Sequence, residues 1–236
     1  MPMPLPSSVP SHFDPASMLS FDLETTGTNP LQARIVTSAL VSIHGGSANS
    51  TELLADPGIE IPESASKIHG ISTEYAKEHG EPHDEVLHKT IRAIYDGWER
   101  GQTLIVFNAA YDLTILRHLE PSFVCSGLVF DPLVMDRALE PQRKGARKLG
   151  TLVKRYGIQL DNAHNASADA LAAARVAWKM ARMWPDLVKK TCDELMEFQA
   201  VSYFDYQSHL RDYFASQGRE MTDFSTAWPM RDGSHM

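Results

Sequence analysis

Met18-Leu19-Ser20-Phe21-Asp22-Leu23-Glu24 is an apolar, strand-like run that ends in two acids. Side chains alternate across a strand, so Asp22 and Glu24 share one face while Phe21 and Leu23 point to the other. Two further segments of strand character follow at residues 34–43 and 50–54, divided by the turn-rich stretches Thr26-Gly27-Thr28-Asn29-Pro30 and His44-Gly45-Gly46. Connections this short favour an antiparallel meander.

Beyond the meander the hydrophobic period changes. From about residue 84 to 98, Leu87, Ile91, Ile94 and Trp98 recur on one helical face. Residues 103–107 form an apolar run with the look of a buried strand. A helix is predicted at 109–119, a short strand at 128–130, and helices near 133–139 and 146–156. The alanine-rich stretch 167–184 reads as a strong helix stopped by Pro185. A meander followed by alternating helices and strands predicts an α/β fold. Its mixed five-stranded sheet has three antiparallel strands, then parallel ones, and helices cover its faces.

The ends read differently. Prolines at positions 2, 4, 6, 10 and 15 mark residues 1–16 as a flexible leader. Residues 17–184 form the main domain, and 185–229 an amphipathic helical extension rich in aromatics (Phe198, Tyr203, Phe204, Tyr206, Tyr213, Phe214). That extension is read as a cap, packed on the core or against a second copy in a homodimer. Residues 230–236 are a tail whose Gly233, Ser234, His235 and Met236 resemble vector-derived sequence.

A chain of 236 residues that is 43% hydrophobic and 22% charged fits a globular enzyme rather than a disordered tail. It holds no apolar run of the roughly 20 residues that a membrane span needs, and no secretory signal pattern. Cys125 and Cys192 alone support neither a disulfide framework nor a zinc site, which makes the reducing cytoplasm the default compartment. The net charge of −8 argues against a protein that grips long duplexes through a basic surface. It leaves room for an enzyme whose bound cations meet phosphate.

Two carboxylates side by side at a core edge repel each other and resist desolvation. A divalent cation removes both costs, and carboxylate oxygens suit Mg²⁺ or Mn²⁺. A solvated strand end would carry the same two acids. Asp112 falls in the first turns of the 109–119 helix, on the face of Ile115, Leu116 and Leu119. Asp169 falls near the start of the alanine-rich helix, aligned with Ala172, Ala173 and Val176. Either acid also reads as a favourable charge at a helix N-terminus. His164 lies five residues before Asp169, in the loop 162–165. Taken together, four convergent acids suit two metal ions roughly 3.5–4 Å apart flanking a phosphodiester. A group of pKa near ~6.5, such as His164, can take a proton from water.

These residues resemble the DEDDh 3′–5′ exonucleases, a family that includes the epsilon proofreading subunit of bacterial DNA polymerase III. Phe21-Asp22-Leu23-Glu24-Thr25-Thr26-Gly27 is similar to the first motif, Phe107-Asn108-Ala109-Ala110-Tyr111-Asp112 to the second, and His164-x₄-Asp169 to the third. The segment from Ile61-Pro62 through Ile68-His69-Gly70-Ile71 resembles the stretch that precedes the second motif. The likeness covers roughly residues 18–180. It implies an RNase H-like sheet and two Mg²⁺ or Mn²⁺ ions. Asp22, Glu24 and Asp169 would hold the first ion, Asp22 and Asp112 the second, and His164 would be the general base. Thr25, Ile68 and His69, with Asn108 of the second motif, would contact substrate. A sister subgroup carries Tyr four residues before its last Asp; Asn165 stands there, so the histidine subgroup fits. The implied partner is nucleic acid with a free 3′ end, with DNA favoured and oligoribonucleotide the alternative, beside a DNA polymerase or repair protein. A non-catalytic polymerase-associated module and a phosphoesterase for small substrates are the other readings.

Two clusters stand outside the motifs. Arg143, Lys144, Arg147, Lys148, Lys154 and Arg155 read equally as phosphate contacts or as a solvated helix face. His79, His83 and His88 gather near one helix start, where a polar surface is the plainer reading than a second metal site.

Overall fold

The computed structural model describes residues 12–159, 165–221 and 224–231. Strand β1 (Ser17–Thr25) pairs antiparallel with β2 (Ile35–His44), which pairs antiparallel with β3 (Ser47–Asp56). The β2–β3 turn is made by Gly45 and Gly46 at φ 56° and 89°, left-handed values that suit the twist of a tight hairpin. On its other side β1 runs parallel to β5 (Thr103–Val106), and β5 runs parallel to β6 (Val129–Phe130). The predicted mixed sheet is therefore present, with one strand more. The two-residue β4 (Glu81–Pro82) pairs parallel with β3 and gives the order β4-β3-β2-β1-β5-β6.

Alternation along β1 divides the core. Leu19, Phe21 and Leu23 pack under α3 (His83–Glu99) and α4 (Ala109–Leu119), among Val86, Ile91, Ile94, Leu113 and Leu116. On the other face, Met18 packs with Ala173, Val176, Ala177 and Met180 of α7 (Ala166–Met183). Ser20 is fully buried there, and its hydroxyl donates to the Ala170 carbonyl at 2.6 Å. Alanines on the helix and a serine on the strand allow that close approach. Asp22 and Glu24 continue the Met18–Ser20 face, so the alternation that buries Phe21 also carries both acids toward the start of α7.

Two short helices precede α3: α1 (Glu63–His69) and α2 (Thr73–His79). Helices α5 (Pro132–Leu139) and α6 (Leu149–Arg155) follow β6. The first turn predicted for the latter, residues 146–148, is not helical. After a 3₁₀ turn (Pro185–Lys189), α8 (Cys192–Ser216) begins at a capping box formed by Thr191 and Glu194. Gln199 of α8 is fully buried; it accepts from the Asp131 amide at 2.7 Å and donates to the Val129 carbonyl at 2.9 Å. Val201, Phe204 and Tyr213 remain exposed on this helix.

The ends correct two expectations. The predicted helix to residue 229 stops at Ser216, followed by Gly218 at φ 69°, a left-handed stop signal. Residues 224–231 return to the core without helix: Trp228 is buried, Met230 packs beside it, and the Arg231 amide donates to Thr114 Oγ1 at 2.8 Å. Met230 and Arg231, read above as tail, are thus packed against the domain. Phe13, assigned above to a flexible leader, is buried and stacks on Phe130 at 4.6 Å. One aromatic anchor outweighs the prolines around it.

Candidate metal centre

Asp22, Glu24 and Asp169 converge: one ligand oxygen from each lies within 4.8 Å of the others. Asn165 caps α7, its Oδ1 accepting from the Ala168 amide at 3.0 Å, and this sets the first turn that carries Asp169. Asp112 arrives from the opposite side. The β1–β5 ladder ends at the pair Phe21–Val106, which leaves the Leu23 amide beyond the last strand bond. The buried Asp112 Oδ1 accepts from that amide at 3.2 Å. The start of α4 is fixed in turn by Asp131, whose carboxylate takes the Asn108 and Ala109 amides at 3.0 and 2.9 Å. Asn108 has φ 67°, a left-handed value that asparagine tolerates better than most side chains.

The acids perturb one another. Burial raises the Asp22 carboxyl well above its usual value, and the charges of Asp112, Glu24 and Asp169 raise it further. Burial also raises Asp112, against the opposing pull of the Leu23 amide. Glu24 is pushed up to about 7 by burial, then by Asp169 and Glu52. Hard oxygen donors forced together at this cost fit a divalent cation, which would replace like-charge repulsion with attraction.

A pH dependence follows. In the metal-free fold these carboxyls keep protons that the unfolded chain has released, so the folded state binds more protons and stability falls as pH rises. For Glu24 that contribution is complete below the ordinary glutamate value and is lost as pH rises through about 7. In EDTA, the wild-type melting midpoint should fall more steeply from about pH 5 to about pH 8 than that of Glu24→Gln. The midpoint shift produced by Mn²⁺ should grow over the same window, because the ligands bind as anions. Equal slopes for the two proteins in EDTA would contradict the assignment.

Two clefts meet at the acids. The first, about 440 Å³, is lined by Glu24, Thr25, Gly27, Ile68, His69 and Tyr111. Thr25 Oγ1 lies 2.6 Å from the Tyr111 hydroxyl and donates to the Gly27 carbonyl at 3.0 Å. His69 Nδ1 accepts from the Ile71 amide at 3.2 Å, which places the ring proton on Nε2; that buried atom has no hydrogen-bond partner among the described residues. Burial lowers the His69 pKa, which favours the neutral ring. Ile68 is exposed beside it. The second cleft, about 570 Å³, is lined by Asp22, Asn108, Asp112, Leu133, Arg137, Arg147 and Lys148. Leu23 and Tyr111 line both. Of the residues expected to contact substrate, Thr25, Ile68 and His69 share the first cleft, and Asn108 lies in the second.

The remaining candidates divide clearly. His164 lies outside the described residues. The basic cluster is largely committed to ion pairs: Arg147 binds the fully buried Asp136 at 2.6 Å, Arg143 binds the same carboxylate, and Arg155 pairs with Glu140. Lys144 and Lys154 are exposed, and Lys148 edges the second cleft. The three histidines find separate partners. His83 is a buried core residue whose Nε2 accepts from the Ile35 amide at 3.2 Å, His79 faces the Tyr75 carbonyl, and His88 lies 3.6 Å from Glu120. Sequence reasoning assigned no role to Tyr111 or Arg137. Tyr111 lies within the second motif, but a residue beside Asp112 is turned about 100° from it on a helix, so periodicity does not mark it.

Comparisons with known proteins agree with this fold. The family model RNase_T, described as exonuclease, matches residues 19–177. The chain is 30% identical over 169 residues to the DNA polymerase III PolC-type of Listeria welshimeri serovar 6b, covering 70% of this chain and 11% of that protein. It is 29% identical over 167 residues to the corresponding Streptococcus thermophilus polymerase, covering 68% and 11%. The chain thus spans about a tenth of the length of these relatives. Among solved structures, E. coli exonuclease I in complex with a dT13 oligonucleotide superposes with a TM-score of 0.61 at 20% identity, covering 86% of this chain and 46% of that one. Exonuclease I from Methylocaldum szegediense does so with a TM-score of 0.59 at 22% identity, covering 74% and 42%. The fold is that of a DEDD-type 3′–5′ exonuclease domain on an RNase H-like sheet. The chain belongs to the RNase_T exonuclease family. Among the described residues, no helix is long and apolar enough to cross a membrane.

Proposed function

We propose that this chain hydrolyses the 3′-terminal phosphodiester of DNA and releases nucleoside 5′-monophosphates, using two Mg²⁺ or Mn²⁺ ions. The observation that carries the proposal is the convergence of Asp22, Glu24 and Asp169 beside a cleft large enough for one nucleoside. Asp22, Glu24 and Asp169 would hold one ion, and Asp22 with Asp112 the other. Bound ions of this kind activate a water and stabilise the leaving oxygen. Thr25 and the Nε2–H of His69 offer polar contacts to the terminal nucleoside, and Ile68 offers an apolar surface to its base. Tyr111 holds Thr25 in place through its hydroxyl.

His164 is assigned the general base through the third motif. His164→Ala should lower the turnover rate by roughly 10²–10⁴ while changing KM for a strand end far less. A variant turning over at the wild-type rate would remove that role.

DNA is favoured because the relatives above are named as DNA polymerases and E. coli exonuclease I is seen with a deoxyoligonucleotide. A polymerase or repair partner in the cytoplasm is consistent with those relatives and with a sequence that carries two cysteines far apart. Matched 5′-labelled DNA and RNA oligomers, incubated with Mg²⁺ or with EDTA, test the reading. The expected result is a ladder shortening from the 3′ end of DNA that EDTA stops. An undegraded DNA strand alongside a shortened RNA would reverse the substrate assignment.

A further inference from the structure

We infer that the second cleft is a strand subsite, in which Arg137, stacked on Tyr206 of the C-terminal extension, binds the phosphate on the 5′ side of the scissile one. The inference rests on the exonuclease reading, because the first cleft must take the terminal nucleoside.

The two clefts open on either side of the acids and share Leu23 and Tyr111. With the terminal nucleoside in the cleft of Thr25 and His69, the preceding nucleotide leaves past Asp22 and Asp112 into the other. A wall of acids alone would repel that nucleotide's phosphate, so cations should stand opposite. Arg137, Arg147 and Lys148 line the same cleft as Asp22 and Asp112.

These cations are not equivalent. Arg147 is spent internally: it donates to Asp136 and to the Glu140 and Arg143 carbonyls. The Arg137 side chain has no hydrogen bond or ion pair to any described residue, and its Nε is buried without a partner among them. The nearby Asp131 does not neutralise it by contact, since that carboxylate is already taken by the amides of Asn108, Ala109, Leu133 and Val134. The Arg137 guanidinium lies 3.7 Å from the ring centroid of Tyr206. Such stacking fixes the plane of the fork but satisfies none of its N–H donors. A planar fork held by its face, whose edge donors meet no described residue, is suited to a phosphate. Lys148 is exposed at the cleft rim and adds charge without orientation. Tyr206 is a positioning residue, which gives α8 a part in binding the strand.

The bland alternative is that Arg137 only fastens α8 to α5. Kinetics on two substrates separate these roles: a single-stranded oligodeoxynucleotide, and thymidine 5′-(p-nitrophenyl phosphate), whose single phosphodiester is the scissile one. For Arg137→Gln the ratio of kcat/KM on the oligonucleotide to that on the ester should fall about tenfold, the effect of one charge-assisted contact. The slope of log KM for the oligonucleotide against log salt should flatten by about 0.7, as expected for one lost contact to a single strand. Tyr206→Phe should keep the wild-type slope, and Tyr206→Ala should follow Arg137→Gln. Equal losses on both substrates, or an unchanged salt slope in Arg137→Gln, would overturn the subsite. Wild-type protein inert on both substrates would overturn the nuclease reading along with it.

Discussion

Asp22→Asn should reduce strand cleavage by roughly 10³-fold or more while the metal-free protein becomes more stable. The first effect follows from position. Asp22 belongs to the triad with Glu24 and Asp169 and lines the cleft that holds Asp112, so it alone can serve both proposed ions. Losing it removes several kcal/mol of charge stabilisation, and each ~1.4 kcal/mol is a factor of ten in rate. The second effect follows from electrostatics. Asp22 is held at a pKa well above the usual carboxylate range by burial and by three neighbouring acids. An amide of the same shape ends that repulsion, so the melting midpoint in EDTA should rise at pH 8, where the acids are most ionised. The midpoint should then respond little to Mn²⁺. A purified Asp22→Asn protein that cleaves at the wild-type rate would refute the ligand assignment.

Asp136→Ala should cost about 3–5 kcal/mol of folding stability, the range for removing one partner of a buried ion pair. Asp136 is fully buried, accepts from Arg147 at 2.6 Å and from Arg143, and lies 3.2 Å from the Tyr156 hydroxyl. Alanine leaves two half-buried guanidinium groups facing a void. This variant decides how the basic cluster is understood. If these arginines build the fold, urea unfolding shifts by that amount. A loss below about 1 kcal/mol, the size of a surface pair, would mean that they reach solvent easily and are available to a strand.

The parts legible in the sequence were those with a repeating physical signal. Alternation in residues 18–24 is strong because Phe21 and Leu23 must be buried while the opposite face ends in charge. It therefore placed Asp22 and Glu24 on one side, and the alanines of α7 brought Asp169 beside them. Helices α3, α4 and α7 were likewise marked by apolar faces. The remainder carries no period. β4 is two residues long and includes a proline, and α1 and α2 each span seven residues, too short for a hydrophobic face to recur. Phe13 and Trp228 are single anchors within polar or proline-rich stretches, buried by partners far away in sequence. The difference between the two arginines was hidden for a related reason: Arg147 of the basic cluster and Arg137 outside it carry the same charge, and only the position of Asp136 decides which is spent. Tyr111 and Arg137 gain their roles from a neighbouring strand and from α8, which no local pattern displays.

Anomalous diffraction from crystals soaked with Mn²⁺ and thymidine 5′-monophosphate tests the central claim most directly. The account predicts two manganese peaks roughly 3.5–4 Å apart, one among Asp22, Glu24 and Asp169 and the other between Asp22 and Asp112, with the nucleoside against Thr25 and His69. A fully soaked crystal with no manganese among these four carboxylates would contradict it.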